Sequence, residues 1–255
     1  MLSAFNDASL FGERTGDAPL TVLCLHGWGR THQDFTNVVS PPDDHALDAI
    51  SLDLPGFGAT PAPPRAFGSH DYAAFIAPIL EEATGPVIVV GHSHGGRVAL
   101  CLAADHPEKV AGLVLIGAPV LTRQASRPPS LRYRILRAAN RWHLVSDERM
   151  EAIRRRSGSA DYAAATGVMR ETLVTVVNES FEAELANLTC PVALVWGSLD
   201  TDVPLEVAER AEALIGSSQA SGSSQVSLTV LEGVGHLVPT SAPRAVRAVI
   251  DQLVS

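Results

Sequence analysis

The 255-residue sequence has no apolar stretch of the roughly 18–20 residues that a membrane-spanning helix needs. Its first residues lack a basic segment followed by an apolar one, so we expect no secretory signal and a cytoplasmic protein. Cysteine is scarce, and the three that occur stand among apolar residues: Cys24, Cys101 and Cys190. This odd number in apolar surroundings predicts reduced core residues rather than a disulfide framework or a metal site.

The sequence also lacks a surplus of positive charge. Its formal net charge is −9, which argues against general nucleic-acid binding. Histidines, cysteines and carboxylates nowhere show the spacing of metal ligands, so we expect neither a metal ion nor another cofactor. Hydrophobic residues make up 46% of the chain, enough for the core of one α/β domain, with or without a large insertion.

Apolar runs alternate with amphipathic segments along most of the chain. Strands are predicted at residues 20–25, 46–54, 86–91, 109–118, 190–197 and 226–232. Helices are predicted at residues 71–83, 94–105, 204–216 and from about Ala242 onward. This alternation predicts an α/β fold with a mostly parallel central sheet flanked by helices. Residues 8–19 are predicted to form a small hairpin around the turn Thr15-Gly16-Asp17.

Residues 121–187 interrupt the alternation with several helical patterns and no strand-like run. We therefore expect a helical cap inserted after a core strand, with residues 1–120 and 188–255 forming the core. Residues 121–180 contain eleven arginines and six acidic residues, a net charge of +5, whereas the remainder has eight basic and 22 acidic residues, a net of −14. A basic cap would attract an anionic substrate or an acidic carrier protein, although the same arginines are also typical of solvated helix faces.

The stretch Gly91-His92-Ser93-His94-Gly95 follows a buried apolar run and precedes a small-residue helix. A strand, a tight Gly-x-Ser-x-Gly turn and a helix raise the serine side chain above the carboxyl edge of a parallel sheet. There the helix N-terminus favours developing negative charge. The pattern predicts Ser93 as a nucleophile.

Neither histidine beside Ser93 is expected to be its base. In so sharp a turn, the adjacent side chains point away from the serine oxygen, so His92 is predicted to pack into the core. His94 is predicted to act through its backbone N–H, because the residue after the nucleophile donates a hydrogen bond to the oxyanion. Its ring is a candidate for lining the substrate pocket.

His236, in LEGVGHLVP, follows the last predicted strand and therefore lies at the same sheet edge as Ser93. A serine nucleophile needs such a histidine base and a carboxylate that orients it. Asp200 and Asp202 both follow the preceding strand, and both are candidates for the acid. The chain order serine, aspartate, histidine is that of hydrolases built on this kind of turn.

Four motifs in order, HGWG, DLPGFG, GHSHGG and GSLDTDVP with GVGH, resemble those of the α/β-hydrolase fold family. The resemblance covers the two predicted core segments. It implies that Asp200 is the acid and that the backbone N–H of Trp28 joins that of His94 in the oxyanion hole. It also implies a serine hydrolase that cleaves a small-molecule carboxylic ester through an acyl-enzyme, without a cofactor.

Three alternatives remain open. The HGWG and DLPGFG motifs are also similar to those of pimeloyl-acyl-carrier-protein methyl ester esterases, and a basic cap suits an acidic carrier. Carbon–carbon bond hydrolases of the same family are a second alternative, although many carry an aromatic residue where this chain has Leu237. A non-catalytic small-molecule receptor on the same fold is the third. In each case Trp142 and Met169 of the predicted cap are candidates for the pocket wall.

Overall fold

The computed structural model describes residues 1–122, 160–218 and 225–254. Its strands are β1 (Leu2–Phe5), β2 (Leu10–Thr15), β3 (Val22–Leu25), β4 (Ala49–Asp53), β5 (Val87–His92), β6 (Val110–Ile116), β7 (Val192–Gly197) and β8 (Val226–Leu231). They form one sheet in the order β1-β2-β4-β3-β5-β6-β7-β8. β2 pairs antiparallel with β1 and β4, and all other neighbours are parallel. The predicted α/β fold with a mostly parallel sheet is confirmed.

The helices lie mainly between the strands. Within the described residues they are α1 (Thr36–Val39), α2 (Ser69–Ile76), α3 (His94–Asp105), α4 (Ala160–Ala164), α5 (Gly167–Val176), α6 (Glu182–Ala186), α7 (Leu205–Ser218), α8 (Val238–Ser241) and α9 (Pro243–Val254). α2 is shorter than predicted, because the chain tightens into a 3₁₀ helix at Ala77–Glu82, next to Pro78. α7 runs two residues past Gly216, where its end was predicted. None of these described helices has the length and apolarity to cross a membrane.

The hydrophobic core lies on both faces of the sheet. Alternate residues of β3 point to opposite faces, so Leu23 and Leu25 join one cluster and Val22 and Cys24 the other. The first cluster includes residues of α2, α3 and α7, and the second includes residues of α1 and α9. Because helices cover both faces, every residue of β3, β4 and β5 is buried.

The amino-terminal hairpin differs from the predicted one, and the prediction for residues 8–19 is wrong. β1 and β2 pair across the turn at residues 6–9, where Asn6, Asp7 and Ala8 have positive φ angles. Asparagine and aspartate tolerate this left-handed backbone better than most residues. Beyond Thr15 the chain instead leaves β2 and enters β3.

The chain leaves and re-enters the core at neighbouring points after β6. The N–H of Phe181 donates to the carbonyl of Val120 at 3.0 Å. Residues 123–159 lie outside the described part of the chain, and α4 and α5 follow them. The assignment of residues 121–187 to a cap domain stays a prediction.

Polar contacts tie α5 to the segment before α2. The buried hydroxyl of Thr172 accepts a hydrogen bond from the N–H of Phe67 at 3.2 Å. The Glu179 carboxylate, just beyond α5, accepts bonds from the N–H of Ser69 at 3.0 Å and its hydroxyl at 2.6 Å. Because Ser69 begins α2, this carboxylate satisfies an N–H that has no partner within the helix.

The turn from β5 to α3 depends on close backbone approach. A Cβ on Gly95 would overlap the carbonyl oxygen of Leu25 in β3, and a Cβ on Gly91 would overlap the carbonyl oxygen of Gly95. A residue with a side chain would force these segments apart. The two glycines therefore set how near α3 begins to the end of the sheet.

Three histidines are buried where β3 and β5 end: His26, His92 and His94. Burial disfavours the imidazolium form and lowers the pKa of His26 and His92 to about 4. It lowers the pKa of His94 to about 3. All three rings are therefore neutral near pH 7.

We expect Gly95→Ala to destabilise the fold by about 1–3 kcal/mol or more, the usual range for inserting a methyl group into a packed core. Gly85→Ala is the matched control, because nothing lies within 4 Å of a Cβ there. Urea unfolding of both variants measures the difference. Equal unfolding midpoints would contradict the close approach of α3 to β3.

The three neutral histidines should make stability depend on pH. Their pKa is about 6.5 in the unfolded chain and lower in the fold, so the unfolded state binds more protons between these values. The free energy of unfolding is therefore expected to decrease as pH falls from about 6.5 toward 4. Urea unfolding at a series of pH values measures this slope, and His94→Phe should reduce it. An unchanged slope in that variant would show that His94 is not a buried neutral group.

Candidate active site

Ser93 stands between β5 and α3 in a strained backbone conformation, with φ 51° and ψ −114°. Its N–H donates to the carbonyl of Ile116 at 2.8 Å, and its own carbonyl accepts a bond from the N–H of Gly96 at 3.0 Å. Such a conformation persists only where the surrounding structure holds it. The two bonds anchor the serine on both sides and leave its half-buried side chain at the carboxyl edge of the sheet.

The side chains of Ser93, His236 and Asp200 form a continuous chain of hydrogen bonds. His236 Nε2 lies 3.0 Å from Ser93 Oγ, and His236 Nδ1 lies 2.7 Å from Asp200 Oδ2. Because a carboxylate only accepts, Nδ1 carries the hydrogen and Nε2 is left to accept the serine hydroxyl. Such an arrangement can activate a serine hydroxyl as a nucleophile.

The Asp200 carboxylate is fixed by the turn that follows β7. Its Oδ1 accepts bonds from the N–H groups of Asp202 at 2.9 Å and Val203 at 2.8 Å, while Oδ2 faces His236. Its side chain is fully buried. Of the two candidate acids, Asp200 thus contacts His236, whereas Asp202 donates its backbone N–H to the Asp200 carboxylate.

Gly117, at the end of β6, makes room for the aspartate and the histidine. It has a φ of 50°, and a Cβ there would lie 3.2 Å from both Asp200 Oδ2 and His236 Nδ1. A side chain at this position would press on their hydrogen bond. The sequence reasoning missed this residue, although a glycine directly after a buried strand is a visible signal.

The HGWG loop passes beside the serine turn. A Cβ on Gly27 would lie 3.4 Å from the Cβ of Ser93, which places the next residue, Trp28, close to the serine. His94 is the first residue of α3, and N–H groups in a first helical turn have no carbonyl partner within the helix. The rings of Trp28 and His94 meet edge to face at 5.4 Å. The structure thus brings the two predicted oxyanion-hole residues together beside Ser93.

His26 joins the HGWG loop to the DLPGFG loop. Its Nδ1 donates to the carbonyl of Gly27 at 2.7 Å, and its Nε2 accepts a bond from the N–H of Leu54 at 3.0 Å. A carbonyl only accepts and an N–H only donates, so this ring must be neutral with its hydrogen on Nδ1. The lowered pKa of His26 maintains that form.

Asp53 supports the same two loops from the end of β4. Its buried carboxylate accepts bonds from the N–H groups of His32 and Ala59, each at 2.8 Å, and lies 2.8 Å from the His32 ring. Burial raises the pKa of this carboxyl, but the hydrogen bonds from Ala59 and His32 outweigh it, so the pKa lies below its usual value. From the sequence, the HGWG and DLPGFG motifs indicated only a resemblance to a family, and the supporting roles of His26 and Asp53 were not predicted.

Aromatic rings lie along one side of the serine turn. Trp28 contacts Phe57 at 4.9 Å between ring centroids, and His94 contacts Tyr72 at the same distance. Within the described part of the chain, neither ring nitrogen of His94 has a hydrogen-bond partner.

The two candidate residues for the pocket wall have different outcomes. Met169 of α5 is half-buried and covers the DLPGFG loop, where a Cβ on Gly56 would overlap its thioether. Trp142 lies outside the described residues. Across residues 1–122, 160–218 and 225–254, no three histidine, cysteine or carboxylate side chains are grouped to hold a metal ion.

Comparison with known proteins shows the family to which the chain is similar. A sequence model of the alpha/beta hydrolase family matches residues 22–249. Lipase LipV of Mycobacterium tuberculosis is 30% identical over 252 residues, covering 91% of this chain and 92% of that protein. Pimeloyl-acyl-carrier-protein methyl ester esterase of Aromatoleum aromaticum is 29% identical over 212 residues, covering 74% of this chain and 82% of that protein.

A solved structure shows the same fold. An esterase from Exiguobacterium antarcticum superposes with a TM-score of 0.69 at 20% identity, covering 96% of each chain. The family match spans almost the whole chain, and the lipase relative covers more than nine-tenths of it. The chain therefore belongs to the α/β-hydrolase family and is a hydrolase of its esterase and lipase type.

Proposed function

We propose that this protein is a serine hydrolase that cleaves small-molecule carboxylic esters through an acyl-enzyme intermediate. The observation that carries the proposal is the chain of hydrogen bonds from Ser93 through His236 to Asp200. The lipase and esterase relatives support an ester as the substrate class.

The first half of the reaction forms the acyl-enzyme. Ser93 Oγ attacks the ester carbonyl carbon while His236 Nε2 takes its proton. Asp200 holds the ring in the required tautomer and stabilises the imidazolium. The N–H groups of Trp28 and His94 stabilise the oxyanion, and each such donor lowers the barrier by about 2.7–4 kcal/mol. His236 then gives its proton to the leaving alcohol.

The second half of the reaction releases the acid. A water molecule attacks the acyl carbonyl as His236 Nε2 takes its proton, and the same two N–H groups stabilise the second oxyanion. The proton returns to Ser93 as the acyl–oxygen bond breaks. Every proton moves between His236 and an adjacent oxygen, so the reaction balances without a metal ion or another cofactor.

The acyl group would lie beside the aromatic rings near Ser93. Trp28 and Phe57 offer apolar surface there, and Met169 covers the neighbouring loop. Binding sites of this kind are mostly apolar, with few polar groups that fix orientation.

The two aspartates provide a matched test of the proposed acid. Asp200→Asn should lower kcat for p-nitrophenyl acetate and butyrate by about 10⁴-fold, because the amide favours the wrong histidine tautomer. Asp202→Asn keeps the backbone N–H that bonds Asp200 and should retain activity near that of wild type.

Ser93→Ala should abolish turnover and labelling by a fluorophosphonate. Equal turnover by wild type and Ser93→Ala would overturn the proposal, and a wild-type protein that resists labelling would favour a receptor.

A carrier-linked methyl ester is a second candidate substrate. The relative from Aromatoleum aromaticum is an esterase of this kind, and eleven arginines fall within residues 121–180 of this chain. An acyl carrier protein is acidic, so these arginines would increase its rate of encounter with the enzyme.

Charge reversal tests the carrier candidate. Replacing Arg154, Arg155 and Arg156 with glutamate should lower kcat/KM for a methyl ester attached to acyl carrier protein. It should leave kcat/KM for the free methyl ester unchanged, which makes the free ester the internal control. Added salt should lower the wild-type kcat/KM for the carrier-bound ester, because salt screens exposed charges. Equal rates for the two enzymes on the carrier-bound ester would contradict carrier recognition by this segment.

A further inference from the structure

We propose that His92 is a positioning residue: it holds the backbone of His236 so that Nε2 of that ring faces Ser93. The inference rests on the proposed function, because it assigns a role to His92 in the reaction of Ser93 and His236. Core packing alone, as predicted from the sequence, does not account for its contacts.

His92 bonds directly to the backbone of the proposed base. Its Nε2 lies 2.9 Å from the carbonyl oxygen of His236, and the two rings lie 4.9 Å apart. Since a carbonyl only accepts, His92 must carry its hydrogen on Nε2. This nitrogen is therefore engaged and cannot also take a proton from Ser93.

The carbonyl of His236 accepts a second hydrogen bond, from the N–H of Val238 at 2.9 Å. Both lone pairs of this oxygen are thus occupied, one by its own loop and one by the end of β5. The loop before it contains Gly233 and Gly235, which give the backbone little stiffness of its own. The bond from His92 therefore ties a glycine-rich loop to the strand that carries the nucleophile.

The other ring nitrogen of His92 faces the HGWG loop. A Cβ on Gly27 would lie 2.9 Å from His92 Nδ1, and within the described residues this buried nitrogen has no hydrogen-bond partner. The ring fills the space between the loop of the proposed base and the loop that carries Trp28. One side chain thus sets the spacing of both loops from Ser93.

The surroundings of His92 keep it neutral. Burial is the main cause of its lowered pKa, and the nearby His236 lowers the pKa further. The hydrogen bond to the His236 carbonyl and the negative charges of Asp34 and Asp200 raise the pKa but are outweighed. When His236 becomes an imidazolium during the reaction, His92 remains an uncharged donor to its carbonyl.

Two nearly isosteric variants separate positioning from packing. His92→Gln retains an N–H donor at about the reach of Nε2, whereas His92→Met fills similar space without a donor. We expect the Met variant to lose about 10- to 100-fold in kcat for p-nitrophenyl butyrate, since a misplacement of about 1 Å can cost that much. Its KM should stay near that of wild type, and the Gln variant should recover most of kcat. A Met variant that folds and keeps wild-type kcat, or equal losses in both variants, would overturn the proposal.

A measurement on the wild-type protein covers the case in which the Met variant does not fold. Nitrogen-15 NMR of protein with isotope-labelled histidine rings should show His92 neutral, with its hydrogen on Nε2, from pH 5 to 8. The signal of His92 is identified by its loss in His92→Gln. A hydrogen on Nδ1 would overturn the proposal.

Fluorophosphonate labelling distinguishes failure of the positioning role of His92 from failure of the proposed function. If wild type is labelled and Ser93→Ala is not, a normal His92→Met enzyme refutes the positioning role alone. If wild type is neither labelled nor active on esters, the proposed function fails, and the positioning role fails with it.

Discussion

The positive φ of Ser93 persists only because the backbone around it has few ways to relax. Hydrogen bonds from Ser93 and Gly96 hold the turn on both sides, and the glycines at positions 91 and 95 allow α3 to begin against the end of β3. The loops that follow the neighbouring parallel strands then pack around Ser93, whose backbone is held in place. Their side chains reach the serine because parallel strands end at one edge of the sheet.

Hydrogen-bond direction organises these loops as much as packing does. His26 carries its hydrogen on Nδ1 and His92 carries its hydrogen on Nε2, each because a carbonyl accepts there. His236 has its hydrogen on Nδ1, since Asp200 accepts it. A second proton on His26 would break its bond with the N–H of Leu54. The low-dielectric interior keeps that ring neutral and so preserves the contact between the HGWG and DLPGFG loops.

The sequence predicts those parts of the site that follow from where strands end. Ser93 and His236 were identified because each follows a predicted strand at the same sheet edge, and the structure brings them together. Asp200 and Asp202 could not be separated by position alone, because both follow β7 within a few residues. The family resemblance favoured Asp200, and the structure shows it in contact with the histidine.

Contacts that depend on how separate loops pack against each other were beyond prediction. The bonds of His26, Asp53 and His92 depend on how closely separate loops approach, and no periodic pattern encodes that distance. Local signals also misled in places. The turn residues near Gly16 suggested a hairpin that the chain does not form, and the apolar periodicity around α2 hid the tightening of the helix next to Pro78.

The hydrogen bond between Val120 and Phe181 closes the loop of chain between them at its base. β6 precedes this closure and β7 follows it, and the two strands pair directly, so their pairing does not depend on the length of the intervening segment. Closing a longer loop costs little additional entropy, only about 0.6 kcal/mol per doubling of its length. A change in the length of chain between Val120 and Phe181 therefore needs no change in the pairing of β6 with β7.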